Sequence, residues 1–217
     1  MNLEQARFNM IEQQVRPWDV LDPTVLDVMR RVPREAFVDS QKIKLAYADI
    51  ELPIGHGESM MHPRVEGRML QSLNITPDDH CLEVGTGSGY IAACLGYLGA
   101  QVHSIDIHQD FIELAEQRIN KQYLANVKVE VCDVFNELAD DAQYDVIAVT
   151  GAIAGSTEQV EKHLKPNGRM FVITGVAPVM QAMLIVRGEE NTFSRASLFE
   201  TKLHYLTGAE PGQTFSL

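Results

Sequence analysis

Residues Leu82-Glu83-Val84-Gly85-Thr86-Gly87-Ser88-Gly89-Tyr90, followed by the apolar run 91–98, decide how this chain is built. A short apolar stretch enters three glycines at alternate positions, and a helix-like segment leaves them. That is a buried strand, a tight turn and a helix start, the place where an α/β sheet lets a small ligand touch backbone. Glycine is needed there because a Cβ would block either the close approach or a positive φ. The spacing narrows the ligand. A dinucleotide turn reads G-x-G-x-x-G, its third glycine packing helix on strand. Here the third glycine, Gly89, comes one residue early, and Tyr90 stands where that pattern has glycine.

Outward from the turn, the hydrophobic period switches back and forth between strand and helix. Strands are expected at 80–84, 101–106, 127–131, 144–149 and 169–174, with helices at 89–98, 109–121 and 156–164. This alternation specifies a doubly wound, mostly parallel sheet with helices on both faces. Pro166-Asn167-Gly168 reads as a helix stop, and segments 181–187 and 195–206 could finish the sheet as a hairpin. Upstream, 4–16 carries Phe8, Ile11 and Val15 on one helical face and is closed by Pro17. A second helix, 23–32, opens with Asp22 as cap and Pro23 at its first position. Residues 42–63, with Pro53, Gly55, Gly57 and Pro63, read as an irregular loop, and 64–73 as a third helix. The expected organisation is a helical, sheet-free cap with a substrate-side loop over 1–77, and a ligand-binding domain over 78–217, packed as one unit.

With 217 residues, 45% of them hydrophobic, the chain can bury one good core. A net charge of −12 argues against a binder of duplex nucleic acid, which needs a basic face. The three cysteines, Cys81, Cys94 and Cys132, are odd in number and lack C-x-x-C spacing. Neither a disulfide framework nor a metal site is expected, and their apolar surroundings make them buried, inert thiols. No run reaches membrane-spanning length, and the first residues lack the regions of a signal peptide. No membrane association and a cytoplasmic location are therefore expected.

The pattern E-x-G-x-G-x-G over 83–89 resembles motif I of the class I S-adenosylmethionine methyltransferases. That donor has no phosphate, so such a turn cradles its methionine part. Two acids fit a nucleoside. Asp106 ends the second strand, about twenty residues beyond Gly85, where a carboxylate can accept from ribose hydroxyls; this spacing alone does not choose between S-adenosylmethionine and NAD. Asp133 follows the third strand, where it can accept from an exocyclic adenine amine. Glu83 lies inside the first strand, where a charge is costly unless paired or hydrogen-bonded; backbone amides or the amino-acid part of the ligand are its expected partners. After the fourth strand, Val149-Thr150-Gly151-Ala152-Ile153-Ala154 lacks the N-P-P-Y-like segment of many amino-methylating enzymes.

Blocks farther upstream are more specific. Met10-Ile11-Glu12-Gln13-Gln14-Val15-Arg16, Arg31-Val32-Pro33-Arg34-Glu35-Ala36-Phe37-Val38, Ala46-Tyr47-Ala48-Asp49 and Leu52-Pro53-Ile54-Gly55-His56-Gly57-Glu58-Ser59 stand in an order and spacing similar to the protein-L-isoaspartate (D-aspartate) O-methyltransferases. The similarity runs over about residues 8–175. It implies a class I S-adenosylmethionine-dependent fold and methylation of the α-carboxylate of isoaspartyl residues in damaged proteins or peptides. The ester then closes to a succinimide that reopens partly to aspartate. It also implies that Glu83, Gly85, Thr86, Gly87, Ser88 and Gly89, then Asp106 with Ile107, Asp133 with Val134, and Thr150 contact the cofactor.

One departure falls on the acceptor side. The family reads G-Q-T-I-S-x-P around its active site and assigns the serine to catalysis. This chain reads Gly57-Glu58-Ser59-Met60-Met61-His62-Pro63, which puts Met61 at the serine and Ser59 at the threonine. The segment 201–207 also lacks the R-F-V-P-L-like strand of the family. A carboxylate is already an anion at neutral pH, so no general base is required; a positioned donor is. Methionine cannot donate. Ser59, Met61 and His62 are thus the candidate catalytic positions, with three consequences open: Ser59 or His62 supplies the donor, the pocket takes another acceptor, or donor binding outlasts catalysis.

Overall fold

The computed structural model describes residues 2–99 and 101–212. A seven-stranded sheet forms its centre, with β3 (His80–Val84), β4 (Gln101–Asp106), β5 (Val127–Val131), β6 (Tyr144–Ile153), β7 (Leu164–Val176), β8 (Val179–Arg187) and β9 (Phe193–Glu200). Ahead of it run α1 (Leu3–Met10), α2 (Pro23–Arg31), β1 (Leu52–Gly55), β2 (Glu58–Met60) and α3 (Pro63–Leu73). Between strands lie α4 (Tyr90–Leu98), α5 (Gln109–Asn120) and the short α6 (Glu158–Glu161).

The sheet order is β5-β4-β3-β6-β7-β8-β9. The first five of these pair parallel, and β8 and β9 add on antiparallel. The chain leaves β3 toward β4 on one side and returns to β6 on the other, so the order reverses at β3. An open α/β sheet binds its ligand at such a switch point, outside the carboxyl ends of the strands. The glycine turn lies there.

Strand alternation divides the core. Cys81, Val146, Ala148 and Phe171 join one apolar cluster with the N-terminal helices, while Leu82, Val84, Ile147, Val149, Met170 and Val172 join another on the opposite face. The first face is the thicker. α4 is buried along nearly its whole length, because α2 and α5 pack against it in addition to the sheet.

Three local expectations change. Pro17 does not simply end the first helix: the chain widens into a π-type turn over Ile11–Val15, tightens at Arg16–Trp18 and stops at Asp19 in the left-handed region. Proline lacks an amide donor and its ring crowds the carbonyl four residues back; widening the turn relieves that crowding. The region 42–63 is not wholly irregular. β1 and β2 form a small antiparallel hairpin, its turn made by Gly55, His56 and Gly57, all at positive φ, so the part before residue 78 does contain a sheet. The expected helix at 156–164 is only Glu158–Glu161, because Leu164 already pairs with Tyr144 and Pro166-Asn167-Gly168 is absorbed into an irregular start of β7. The hairpin expected at the end is present as β8–β9, whereas 201–204 leave the sheet and only Tyr205 bridges back, to Ala152. No described helix is long and apolar enough to cross a membrane.

Candidate active site

The turn after β3 is built as a cradle. Gly85, Gly87 and Gly89 all have positive φ. A Cβ on Gly85 would fall 2.4 Å from the Thr150 hydroxyl, and one on Gly89 would press Ala115 of α5 at 3.0 Å. The first glycine thus admits the neighbouring strand, and the third seats α4 against α5. The Thr150 hydroxyl lies 2.9 Å from the Val84 carbonyl and 2.6 Å from that of Gly85, and straps the turn to β6.

Beside the turn lies an open cleft, about 640 Å³ of empty space counting the solvent at its mouth. Asp106 enters it from the end of β4. One oxygen accepts from the Gly87 amide at 2.9 Å and the other from the His108 amide at 3.0 Å, which fixes the carboxylate while leaving lone pairs toward the cleft. Asp133 enters beyond β5, held by the Phe135 amide and the Asn136 side chain. Gly85, Gly87, Ile107, Val134 and Thr150 also line this space. Its far wall is Ile54, Glu58 and Ser59 of the β1–β2 hairpin, and its apolar surfaces include Phe111, Phe135 and Leu206.

A smaller cavity adjoins it beneath the glycine turn, lined by Ser59, Met61, Glu83, Thr86, Ser88 and Tyr90 among others. Thr86 is turned inward to Ser104, and the Ser88 hydroxyl accepts from the Tyr90 amide at the start of α4. Glu83 is fully enclosed. Ser104 donates to one of its oxygens, while the other has no hydrogen-bond partner among the described residues. Burial pushes its carboxyl up to about 8. Burial likewise raises Glu58 above the ordinary carboxylate range and Tyr90 well above the ordinary phenol.

The three candidate catalytic positions separate. Ser59 borders both cavities. Met61 is buried and lines only the inner one. His62 lines neither of them; its Nδ1 lies 3.0 Å from the Asp49 carbonyl. Met61 is held through its backbone. The buried Arg34 donates to the Met61 and Ala46 carbonyls, each at 2.7 Å, and forms a two-pronged pair with buried Glu66 at 3.0 Å on both prongs. Burial opposes the guanidinium charge, and Glu66 more than restores it. The V-P-R-E block therefore contributes an internal clamp on the active-site loop.

A family model for the protein-L-isoaspartate(D-aspartate) O-methyltransferases matches residues 5–209. The chain belongs to that family. Its isoaspartate-methyltransferase relatives include proteins so named from Koribacter versatilis, 37% identical with 95% of this chain and 91% of the relative covered, and from Protochlamydia amoebophila, 35% identical with 95% and 99% covered. A Plasmodium falciparum chain solved in complex with S-adenosyl-L-homocysteine superposes with a TM-score of 0.80 at 18% identity, over 95% of this chain and 98% of that one. A second solved structure, a protein-L-isoaspartate O-methyltransferase, gives 0.78 at 22% identity over 92% and 65%. Both show the same fold. The protein is accordingly an S-adenosylmethionine-dependent methyltransferase of the isoaspartate family. The residues present suit that donor: Asp106 and Asp133 line the cleft with oxygens able to accept from a nucleoside, and one buried Glu83 oxygen beneath the glycine turn has no hydrogen-bond partner among the described residues.

Several lining residues escape a reading of sequence alone. Phe111 is the third residue of α5, and Leu206 lies in a segment with no motif; only the fold carries them to the cleft. Ile54 was visible within L-P-I-G, where it read as a family marker rather than a wall.

Proposed function

We propose that this chain methylates the carboxylate of L-isoaspartyl residues in proteins or peptides, with Ser59 taking over the positioning role that falls to another side chain in its family. The observation that carries this reading is the place of Ser59. It lies on the hairpin that walls the cleft and borders the inner cavity as well. Met61 offers only a thioether there, and His62 is held at Asp49.

When bound, S-adenosylmethionine supplies an electrophilic methyl on a positively charged sulfur. Asp106 would accept from its ribose hydroxyls and Asp133 from its adenine amine. Gly85 and Gly87 would give the amino-acid portion close contact with backbone, and Ile107 and Val134 would border the nucleoside. Glu83 would help to hold the amino-acid portion. The acceptor arrives as an anion and needs no base. Ser59 donates to one of its oxygens and leaves the other free to attack; Ile54 and Met61 keep water from the reacting pair. Alignment and exclusion of water are the protein's share of the rate. Residues 1–77 then form the acceptor side of the molecule and 78–217 the donor side.

The test is steady-state kinetics on an isoaspartyl peptide. Ser59→Ala lowers kcat/KM by about 10–100-fold, the loss of a hydrogen bond to a charged group, and leaves the calorimetric affinity for S-adenosylhomocysteine within about twofold. Met61→Ser adds a donor at the family position and raises activity, at roughly 2–5 kcal/mol of stability for the emptied space. Unchanged kinetics in Ser59→Ala would remove Ser59 from the mechanism.

A further inference from the structure

The far wall of the cleft carries a carboxylate of its own. Glu58 opens β2 and lines the cleft together with Asp106 and His108. The tip of the hairpin is brought to the level of Asp106 by a stack: the His56 ring lies on the His108 ring, 3.9 Å between centroids, and the His108 amide is what holds one Asp106 oxygen, at 3.0 Å. His204 ties the same tip to the C-terminal segment, its Nδ1 2.8 Å from the Gly57 carbonyl. Glu58 pairs across the hairpin with Gly55, directly beside that tip. Two acids from separate walls thus face one space, Asp106 at the end of β4 and Glu58 at the start of β2. We infer that Glu58 is a second ribose acceptor, and that with Asp106 it grips the vicinal diol of the donor from two sides. The inference rests on Asp106 being the first such acceptor.

The charges in the cleft suit such a ligand. Burial raises the Glu58 carboxyl and Asp106 raises it further, while the imidazoles of His204, His108 and His56 counter them through space. A half-buried carboxylate that faces another one is stabilised by hydrogen-bond donors aimed at it. A vicinal diol offers two hydroxyl donors a short, fixed distance apart, one for each acid, and both bonds are charge-assisted. Asp106 alone, already accepting from the Gly87 and His108 amides, has fewer lone pairs to spare for both hydroxyls. The position of Glu58 in the chain gives this contact a consequence. Glu58 and Ser59 are consecutive residues of β2. A ribose held by Glu58 steadies the strand that presents Ser59 to the acceptor, so the donor binds first and sets the acceptor side.

Calorimetry on the full-length protein without acceptor tests this, with S-adenosylhomocysteine and its 2′-deoxy and 3′-deoxy forms as ligands. Glu58→Ala weakens S-adenosylhomocysteine by about 10–100-fold, the loss of a hydrogen bond to a charged group. Glu58→Gln keeps a carbonyl acceptor and loses less. For one of the two deoxy forms the loss in Glu58→Ala vanishes, because the hydroxyl that Glu58 holds is already missing. Equal losses on all three ligands, no loss on any, or a loss for S-adenosylmethionine alone, which would make the sulfonium its partner, would overturn the role of Glu58. Asp106→Asn goes through the same comparison; a loss there that ignores the sugar hydroxyls would overturn the reading of Asp106 instead.

Discussion

Glu83 carries a carboxyl group that stays protonated beneath the glycine turn. Burial raises it from 4.5 to about 8, against the help of the Ser104 hydroxyl. The folded state therefore holds a proton that the unfolded chain releases in the acidic range. The sign follows: the folded protein binds more protons between the two values, so stability falls as pH rises through that window. Its contribution is complete below about pH 4.5 and gone above about pH 8. Glu83→Gln mimics the protonated form and removes this slope. Urea denaturation of the ligand-free protein at pH 5 and pH 8 shows a smaller pH difference in the variant than in the parent; equal differences would mean that Glu83 is ionised in the fold.

Among elements, the β1–β2 hairpin and the loop after it depend on Arg34 and Glu66, a buried pair behind the inner cavity that Glu66 also lines. Arg34→Met leaves Glu66 buried without its partner and costs about 3–5 kcal/mol. Arg34→Met with Glu66→Leu recovers part of that cost, since a matched apolar pair is tolerated. The Met61 and Ala46 carbonyls lose their donor in both, so activity stays low where stability returns. Denaturation midpoints and kcat on the same set of variants separate the two effects. The elements also show what a sequence can tell. The strand-turn-helix at 80–98 was legible because its signals are local: an apolar run, then glycines, then an apolar helix. Asp106 and Asp133 were legible because the ends of parallel strands lie side by side, so position along the chain becomes position at the site. The hairpin was hidden, since four and three residues rich in proline and glycine carry no strand period. The helix at 156–164 was overread because its apolar residues, including Leu164, serve a strand pairing that local periodicity does not register. Phe111 and Leu206 reach the cleft through long-range packing alone, and the Arg34 clamp was present in V-P-R-E only as a motif without a partner.

The molecule as a whole is acidic, with a net charge of −12, yet its acceptor is an anion. Long-range repulsion slows that encounter, and salt screens it over a Debye length of about 10 Å at 0.1 M. kcat/KM for an isoaspartyl peptide flanked by acidic residues therefore rises with added salt, while that for a peptide with basic neighbours falls. Matching salt responses would show that the acceptor meets only local charge. Met61 alters the inner cavity, which the glycine turn also lines, whereas Asp106 and Asp133 stand at the ends of β4 and β5 outside it. The most direct measurement uses two synthetic peptides that differ only in one residue, L-isoaspartate in one and L-aspartate in the other, each incubated with methyl-labelled S-adenosylmethionine. Base-labile methyl ester should form on the isoaspartyl peptide and not on its isomer. A protein that binds S-adenosylhomocysteine yet esterifies neither peptide would contradict the assignment of the acceptor.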